Sequence, residues 1–317
     1  MKVLANDGIS QVGINKLEQA GYTVITEKIA QENLENYINN NNVSCLLVRS
    51  ATTARKELID SCPSLKLIGR GGVGMDNIDV DYARGQGLKV INTPAASSQS
   101  VAELVMGELF VLSRFMYDSF KNMENGEFSK LKKAYAKGSE LRGKKIGIVG
   151  FGRIGQSLAS YALGVGMDVV AVDQFITNSI DISVPVGNNQ NVSVKITPTN
   201  DLNSVLSDLD YLSLHVPKQA DGSAVISKNE FDKMKTGIKI VNAARGGVID
   251  ESALIEALDN GKVDCIALDV YENEPNPRKD LLSHKKIACT PHIGAATNEA
   301  QNRIGEELAE QIINEFA

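Results

Sequence analysis

The stretch Lys144–Gly164, KKIGIVGFGRIGQSLASYALG, decides how the rest of the chain is read. An apolar strand-like run leads into Gly150, Gly152 and Gly155, a G-x-G-x-x-G array that opens a helix. In such an array the first glycine permits a tight turn and the second lets the backbone approach a pyrophosphate. The third lets the helix lie close to the strand. The helix N-terminus adds free N–H groups and a partial positive charge. Three glycines alone would fit any strand-turn-helix corner. The next strand, however, ends VVAVD at Asp173, where a carboxylate accepts hydrogen bonds from the adenosine ribose hydroxyls. The same charge repels a 2′-phosphate, and Gln174 and Phe175 offer no cation to hold one, so the expected cofactor is NAD rather than NADP.

Outward from this corner, short apolar runs alternate with helical stretches. Upstream, KVLAND, YTVITE, CLLVRS, LKLIGR and KVINTP read as strands, with helices near 10–20, 30–40, 54–61 and 77–86. Downstream, the series opened by 144–150 continues at 168–173, 210–217, 238–246, 264–270 and 286–291. Strand–helix alternation means parallel sheets covered on both faces. The expected fold is α/β, with two doubly wound domains: 1–96 joined by 292–317, and 97–291. A linker helix is expected over SSQSVAELVMGELFVLSRFMYDSFKNMENGEF, capped by Ser97 or Ser98. Its apolar residues fall on more than one face and need cover on several sides, from a second subunit or from its own. Residues 178–200 read as a hairpin around Gly187-Asn188-Asn189, and a last helix covers roughly 298–317.

A chain of 317 residues suits two domains, and 43% hydrophobic with 23% charged residues is a globular composition. No apolar run approaches the ~18 residues of a membrane span, and MKVLANDGIS is not a secretory leader, so a cytoplasmic location is expected. A net charge of -6 argues against nucleic acid, which is bound by clustered cations. Cys45, Cys62, Cys265 and Cys289 show no metal-ligand spacing; buried reduced thiols are expected, with no metal and no disulfide.

Ligands of doubly wound sheets lie beyond the carboxyl ends of the strands, and three such ends carry chemistry. VNAARGGVID presents Arg245, a guanidinium able to grip a carboxylate in bidentate fashion and polarise a neighbouring carbonyl. ALDVYENEP presents Asp269 and Glu274, and TPHIGAAT presents His292. A neutral imidazole can take the proton of a secondary alcohol while hydride leaves, with a carboxylate on its other nitrogen fixing the tautomer. Each residue alone fits a surface ion pair or a structural histidine; at successive strand ends of one dinucleotide-binding sheet they fit catalysis better.

Through GFGRIG, NAARGGVID, DVYENEP and TPHIGAAT, in order and spacing, the chain resembles the D-isomer-specific 2-hydroxyacid dehydrogenases over essentially its whole length. The resemblance implies a catalytic set of Arg245, Glu274 and His292: Arg245 on the substrate carboxylate and carbonyl, His292 as acid and base, Glu274 orienting it. It implies a flavodoxin-like substrate domain closing on a Rossmann NAD domain about a hinge near 94–98 and 291–298, and a homodimer. It also implies cofactor contacts from Gly150, Gly152, Arg153, Ile154, Gly155, Asp173, His215, Val216, Pro217, Ala243, Asp269, His292, Gly294, Ala295 and Val73. LLVRSATT and LIGRGGVGMDNID resemble the 3-phosphoglycerate dehydrogenases in particular. That places Arg49, Ser50, Arg70, Gly71, Gly72, Val73, Gly74 and Asn92 at the substrate, together with Arg245 and His292. Two guanidiniums could then hold a phosphate. The implied reaction is oxidation of 3-phosphoglycerate at the entry to serine synthesis, in a short member without a regulatory C-terminal domain. A glyoxylate or hydroxypyruvate reductase is the alternative, and an NAD-sensing binding protein of the same fold a weaker one. The segment between Asp173 and His215 is longer than the family pattern leads one to expect.

Overall fold

The strands β1 (Lys2–Ala5), β2 (Thr23–Ile25), β3 (Cys45–Val48), β4 (Leu67–Arg70) and β5 (Lys89–Asn92) form one parallel sheet in the order β2-β1-β3-β4-β5. They belong to a computed structural model that describes all 317 residues. β3 is buried at all four positions, as its unbroken CLLV run requires of a strand covered on both faces. The helices α1 (Gln11–Gln19), α2 (Leu34–Asn41), α3 (Lys56–Ser61) and α4 (Val80–Gly85) cover the sheet together with the last helix of the chain, Asn298–Phe316. Ser10 caps α1 by accepting from the Gly13 amide. The last helix crosses α1 backbone on backbone: a Cβ on Gly13 would meet the Gly305 carbonyl at 2.6 Å. That contact needs glycine on both sides and returns the chain terminus to its first unit.

The second unit opens with α5 (Ser98–Ser113), α6 (Met116–Asn122) and α7 (Phe128–Ala134). It continues through β6 (Lys145–Val149), α8 (Arg153–Gly164), β7 (Asp168–Val172), β8 (Ile180–Gly187), β9 (Gln190–Ile196) and β10 (Tyr211–Leu214). After these come α9 (Lys228–Lys233), β11 (Ile238–Asn242), α10 (Glu251–Asp259), β12 (Val263–Leu268), α11 (Lys279–Ser283) and β13 (Ile287–Cys289). Six strands make a parallel sheet, β13-β12-β11-β10-β6-β7. The chain leaves β6 toward β7 on one side and crosses to β10 on the other, so the end of β6 is the switch point at which such sheets bind ligands. The crossover holds the antiparallel ribbon β8–β9, turned through Asn188 and Asn189 at φ 49 and 58. Both central residues of this hairpin are left-handed, as a two-residue turn that follows strand twist demands.

The two units are Met1–Ser98 with Ala295–Ala317, and Gln99–Gly294. Their boundaries fall a few residues beyond the expected 96/97 and 291/292, and they carry His292 into the nucleotide-binding unit. The expected linker helix is broken into α5 and α6, and α7 begins at its last residue, Phe128. The Ser113 carbonyl is taken by the Ser139 amide at 3.0 Å rather than by the fourth residue ahead, and Phe115 turns left-handed at φ 53. Three cysteines are buried as expected, but Cys289 at the end of β13 is exposed. Burial pushes the Cys45 and Cys265 thiols up to about 12 and that of Cys62 to about 11. No helix is long and apolar enough to cross a membrane.

Candidate active site

At the end of β6 the three glycines have different reasons to be glycine. A Cβ on Gly150, at φ 92, would meet the His215 carbonyl oxygen at 2.5 Å, and one on Gly155 would meet the Gly150 carbonyl oxygen at 2.3 Å. Both therefore serve the internal packing of the turn. Gly152 has ordinary φ of -73, and a Cβ there would meet nothing within 4 Å. Its missing side chain leaves open space beside the first turn of α8, which no side chain caps. That cradle, with helix N–H groups facing it, fits a pyrophosphate.

Asp173 stands beside the cradle. Its Oδ2 accepts from the Phe151 amide at 2.7 Å and its Oδ1 from the amides of Phe175 and Ile176 at 2.8 and 2.9 Å. A carboxylate has about four lone-pair sites, so these three bonds fix its orientation and leave capacity for a hydroxyl. His215 lines the same turn with its backbone. Its ring bonds Ser213 Oγ through Nε2 at 2.9 Å, and burial pushes it down to about 4, so it is neutral at pH 7. Val216 flanks Gly150, and Pro217 follows it exposed.

The reacting groups sit on the loops after β11, β12 and β13. Asn242, the last residue of β11, braces the first of these: its Nδ2 donates to the Arg245 carbonyl and its Oδ1 accepts from the Ala244 amide, each at 3.1 Å. Arg245 Nη1 donates to the Ala244 carbonyl at 2.6 Å, and Ala243 is half-buried just before it. Gly246 then lies directly on the neighbouring loop, where a Cβ would sit 1.7 Å from the Tyr271 carbonyl oxygen. No other residue lets these two loops approach so closely.

In the second loop, Glu274 Oε1 accepts from the Tyr271 amide at 2.9 Å, and Oε2 lies 2.7 Å from His292 Nδ1. Burial pushes the Glu274 carboxyl up, but the bonds from His292 and Tyr271, with the charges of His292 and Arg245, hold it below its ordinary value. Neutral His292 therefore carries its hydrogen on Nδ1, donated to Glu274, and keeps a free lone pair on Nε2. The His292 and Glu274 side chains are 36% and 33% exposed, so that lone pair is within reach of a ligand.

His292 has φ 54, a left-handed conformation that costs a non-glycine residue about 1–3 kcal/mol. Asp269, 1% exposed at the end of β12, compensates. It accepts from the Ile293 and Gly294 amides at 2.8 Å each and from Thr290 Oγ1 at 2.7 Å. Bonds to a charged acceptor contribute roughly 1.5–3 kcal/mol each, enough to hold the strained turn. Arg245, Glu274, Asp269 and His292 are thus brought together in one unit. Thr290, Tyr271 and Glu108 carried no role in the reading of the sequence, and Gly246 only that of a glycine that lets the loop bend. The one available signal was a lone acid, Glu108, in the apolar run VMGELFVL.

Residues 106–294 match the family model of the D-isomer specific 2-hydroxyacid dehydrogenase, NAD binding domain. The chain belongs to that family. It is an NAD-dependent D-2-hydroxyacid dehydrogenase, and NAD is its cofactor. It is 43% identical over 277 residues to the hydroxypyruvate reductase of Thermotoga maritima, covering 86% of this chain and 85% of that protein. It is 38% identical over 312 residues to the D-3-phosphoglycerate dehydrogenase of Methanocaldococcus jannaschii, covering 98% of this chain but only 57% of that protein's length. Among solved structures, the NAD+-bound 3-phosphoglycerate dehydrogenase of Entamoeba histolytica matches with a TM-score of 0.79 and 26% identity, covering all of this chain and 95% of that one.

The other predicted substrate residues lie in the first unit, where the strand ends of β3, β4 and β5 meet. Arg49 and Ser50 follow β3 and line an open cleft with Asp7 and Lys28. The Arg49 amide donates to Asp7 Oδ2 at 2.6 Å, and Asn77 Nδ2 donates to the Arg49 carbonyl at 2.7 Å. Arg70 ends β4 and folds its guanidinium over the turn that follows. A Cβ on Gly72, at φ 143, would meet Arg70 Nη1 at 2.0 Å, and one on Gly71 would meet the Arg49 stem at 3.6 Å. The two arginines flank one glycine turn. Asn92 Nδ2 donates to the Val73 carbonyl at 2.7 Å, which ties Val73-Gly74 to β5. Ala295 begins the returning segment and accepts from Gln301 Nε2 at 2.7 Å.

Proposed function

We propose that this dehydrogenase oxidises 3-phospho-D-glycerate at C2 to 3-phosphohydroxypyruvate, the entry step of serine synthesis. What supports the phosphate is the stem of Arg49 beside Gly71 and the guanidinium of Arg70 beside Gly72, a pair that an unphosphorylated hydroxy acid does not need. Arg245 grips the carboxylate and polarises the C2 oxygen. His292 Nε2 takes the hydroxyl proton as the C2–H bond breaks, and Glu274 stabilises the resulting imidazolium. NAD, when bound, supplies the acceptor for the hydride. Gly152, Arg153 and Ile154 would hold its pyrophosphate and Asp173 its ribose. His215, Val216 and Pro217 would line the adenine side, and Asp269 the nicotinamide amide.

The protein works in the cytoplasm as a homodimer. The exposed Phe110, Phe120 and Phe128 on α5, α6 and α7 supply an apolar surface for a second copy. A hydroxypyruvate reductase is the second reading, favoured by the 43% identical relative that the chain matches over 85% of its length.

The deciding experiment measures NADH formation from 3-phosphoglycerate and from D-glycerate, and NADH oxidation by hydroxypyruvate. The proteins are wild type, the double variant Arg49→Ala/Arg70→Ala, and His292→Ala. The double variant is expected to lose at least about 100-fold in kcat/KM for the phosphorylated acid, from two bonds of about 1.5–3 kcal/mol each, and little for hydroxypyruvate. An equal effect on both substrates removes the phosphate reading.

A further inference from the structure

Glu108 is an acid on α5 that the reaction above does not use. It is 5% exposed, its Oε2 is buried without a hydrogen-bond partner, and its Oε1 lies 3.4 Å from Thr290 Oγ1. Thr290 Oγ1 also lies 2.7 Å from Asp269 Oδ1. A hydroxyl has one hydrogen, and the shorter contact takes it. Thr290 therefore donates to Asp269, and its oxygen can only accept from Glu108. Asp269 also accepts from the Ile293 and Gly294 amides, so if both carboxylates were ionised it is Glu108 that would be left buried and charged without a donor.

We propose that Glu108 is a positioning residue held as the neutral acid, donating to Thr290 so that Thr290 and Asp269 together fix the strained turn that presents His292. This rests on the reading of His292 as the proton acceptor. Ionisation of Glu108 withdraws the Thr290 hydrogen from Asp269 and loosens the Ile293 and Gly294 amides, so the fold carries its own alkaline limit. Burial, reinforced by the neighbouring charge of Asp269, pushes the Glu108 carboxyl up to about 8. The other titratable groups nearby are Tyr271, on the loop after β12, which feels the Glu108 charge, and Cys289 on β13, which contacts Tyr271. Burial raises both. Asp269 is a carboxylate, and Tyr271 and Cys289 can only become negative, so none of them can neutralise Glu108 once it ionises.

The test uses Glu108→Gln, Glu108→Ala and Thr290→Val in the intact enzyme. In the oxidative direction, with 3-phosphoglycerate and NAD, or D-glycerate and NAD if only that is turned over, kcat of wild type falls through an alkaline limb near pH 8. Glu108→Ala is expected to lose about tenfold in kcat at pH 7 with little change in KM, as expected for a displaced acid/base group. Glu108→Gln, whose amide donates to Thr290 but never ionises, recovers most of that loss and shifts the limb upward by at least about one pH unit. Thr290→Val removes the relay and brings the Gln and wild-type profiles together. A second readout needs no activity. The carboxyl is raised in the fold, so wild type loses stability relative to Glu108→Gln as pH rises from its ordinary value to about 8. The difference in Tm between the two proteins should shrink or reverse over that interval. If His292→Ala keeps full activity while the Tm difference behaves as stated, the acid/base reading fails and the buried neutral acid stands. If Glu108→Gln keeps the wild-type alkaline limb and the Tm difference is flat from pH 5 to 9, the proposal is overturned.

Discussion

His292 Nδ1 and Glu274 Oε2 lie 2.7 Å apart, on loops that follow β13 and β12. The pair decides which imidazole nitrogen faces the ligand: Nδ1 is spent on the carboxylate, and Nε2 is left to exchange a proton. His292→Ala should lower kcat by about 10²–10⁴-fold, the usual contribution of a general base, and leave NADH affinity nearly unchanged. Glu274→Gln keeps the shape but not the charge and should lower kcat by a smaller factor. Stopped-flow turnover and fluorescence titration of NADH measure the two quantities. Equal losses of affinity and turnover in His292→Ala would place the imidazole in binding rather than in proton transfer.

The same pair sets an acid limit to stability. The Glu274 carboxyl is held below its ordinary value in the fold, chiefly by His292 and the Tyr271 amide acting against burial. Its contribution is therefore complete above the ordinary carboxyl value and is lost as pH falls through the lowered one. Scanning calorimetry between pH 6 and 3 should show the Tm of wild type converging on that of Glu274→Gln. Parallel curves would contradict the linkage.

Gly246 and Gly107 make a matched test of space. A Cβ at 246 would lie 1.7 Å from the Tyr271 carbonyl oxygen, whereas one at 107, on the exposed face of α5, would meet nothing within 4 Å. Gly246→Ala should push the Arg245 and Glu274 loops apart, lowering both Tm and kcat, the latter by at least about tenfold. Gly107→Ala should keep activity and gain up to about 1 kcal/mol from helix propensity. A fully active Gly246→Ala would mean the loops tolerate separation.

Asp173 is already oriented by three backbone amides, so its removal disturbs the cradle as well as the ribose contact. Asp173→Ala should weaken NADH binding by about 10–100-fold, as expected for lost bonds to a charged acceptor, while NADPH binding falls less or rises. Isothermal titration with both nucleotides separates these outcomes, and an unchanged preference would show that discrimination lies elsewhere.

The fold was legible wherever backbone sterics or burial wrote directly into composition. Unbroken apolar runs such as CLLV and IGIV mark strands covered on both faces, and Gly150-x-Gly152-x-x-Gly155 marks a turn with too little room for side chains. The cluster of Arg245, Glu274 and His292 was legible because parallel strands deliver their ends to one edge. The break of the linker helix at Phe115 was not legible. It depends on the Ser139 amide, which arrives from beyond two further helices to take the Ser113 carbonyl, and no local residue signals it. Glu108 was missed for a related reason: what makes it unusual is Thr290, 182 residues away in sequence. The approach of Gly246 to Tyr271 was hidden too, since a glycine after arginine reads equally well as a flexible loop.

The β8–β9 ribbon leans on α8, with Ser160 Oγ donating to the Ser183 carbonyl at 2.6 Å, and meets the main sheet at Thr199, whose backbone bridges Val172. Its far end, from Val186 to Gln190, is exposed. The ribbon is thus an outgrowth that leaves the order of the six strands intact. For an engineer this makes the Asn188–Asn189 bend a splice point, where a reporter peptide can be threaded in without rewriting the scaffold beneath it.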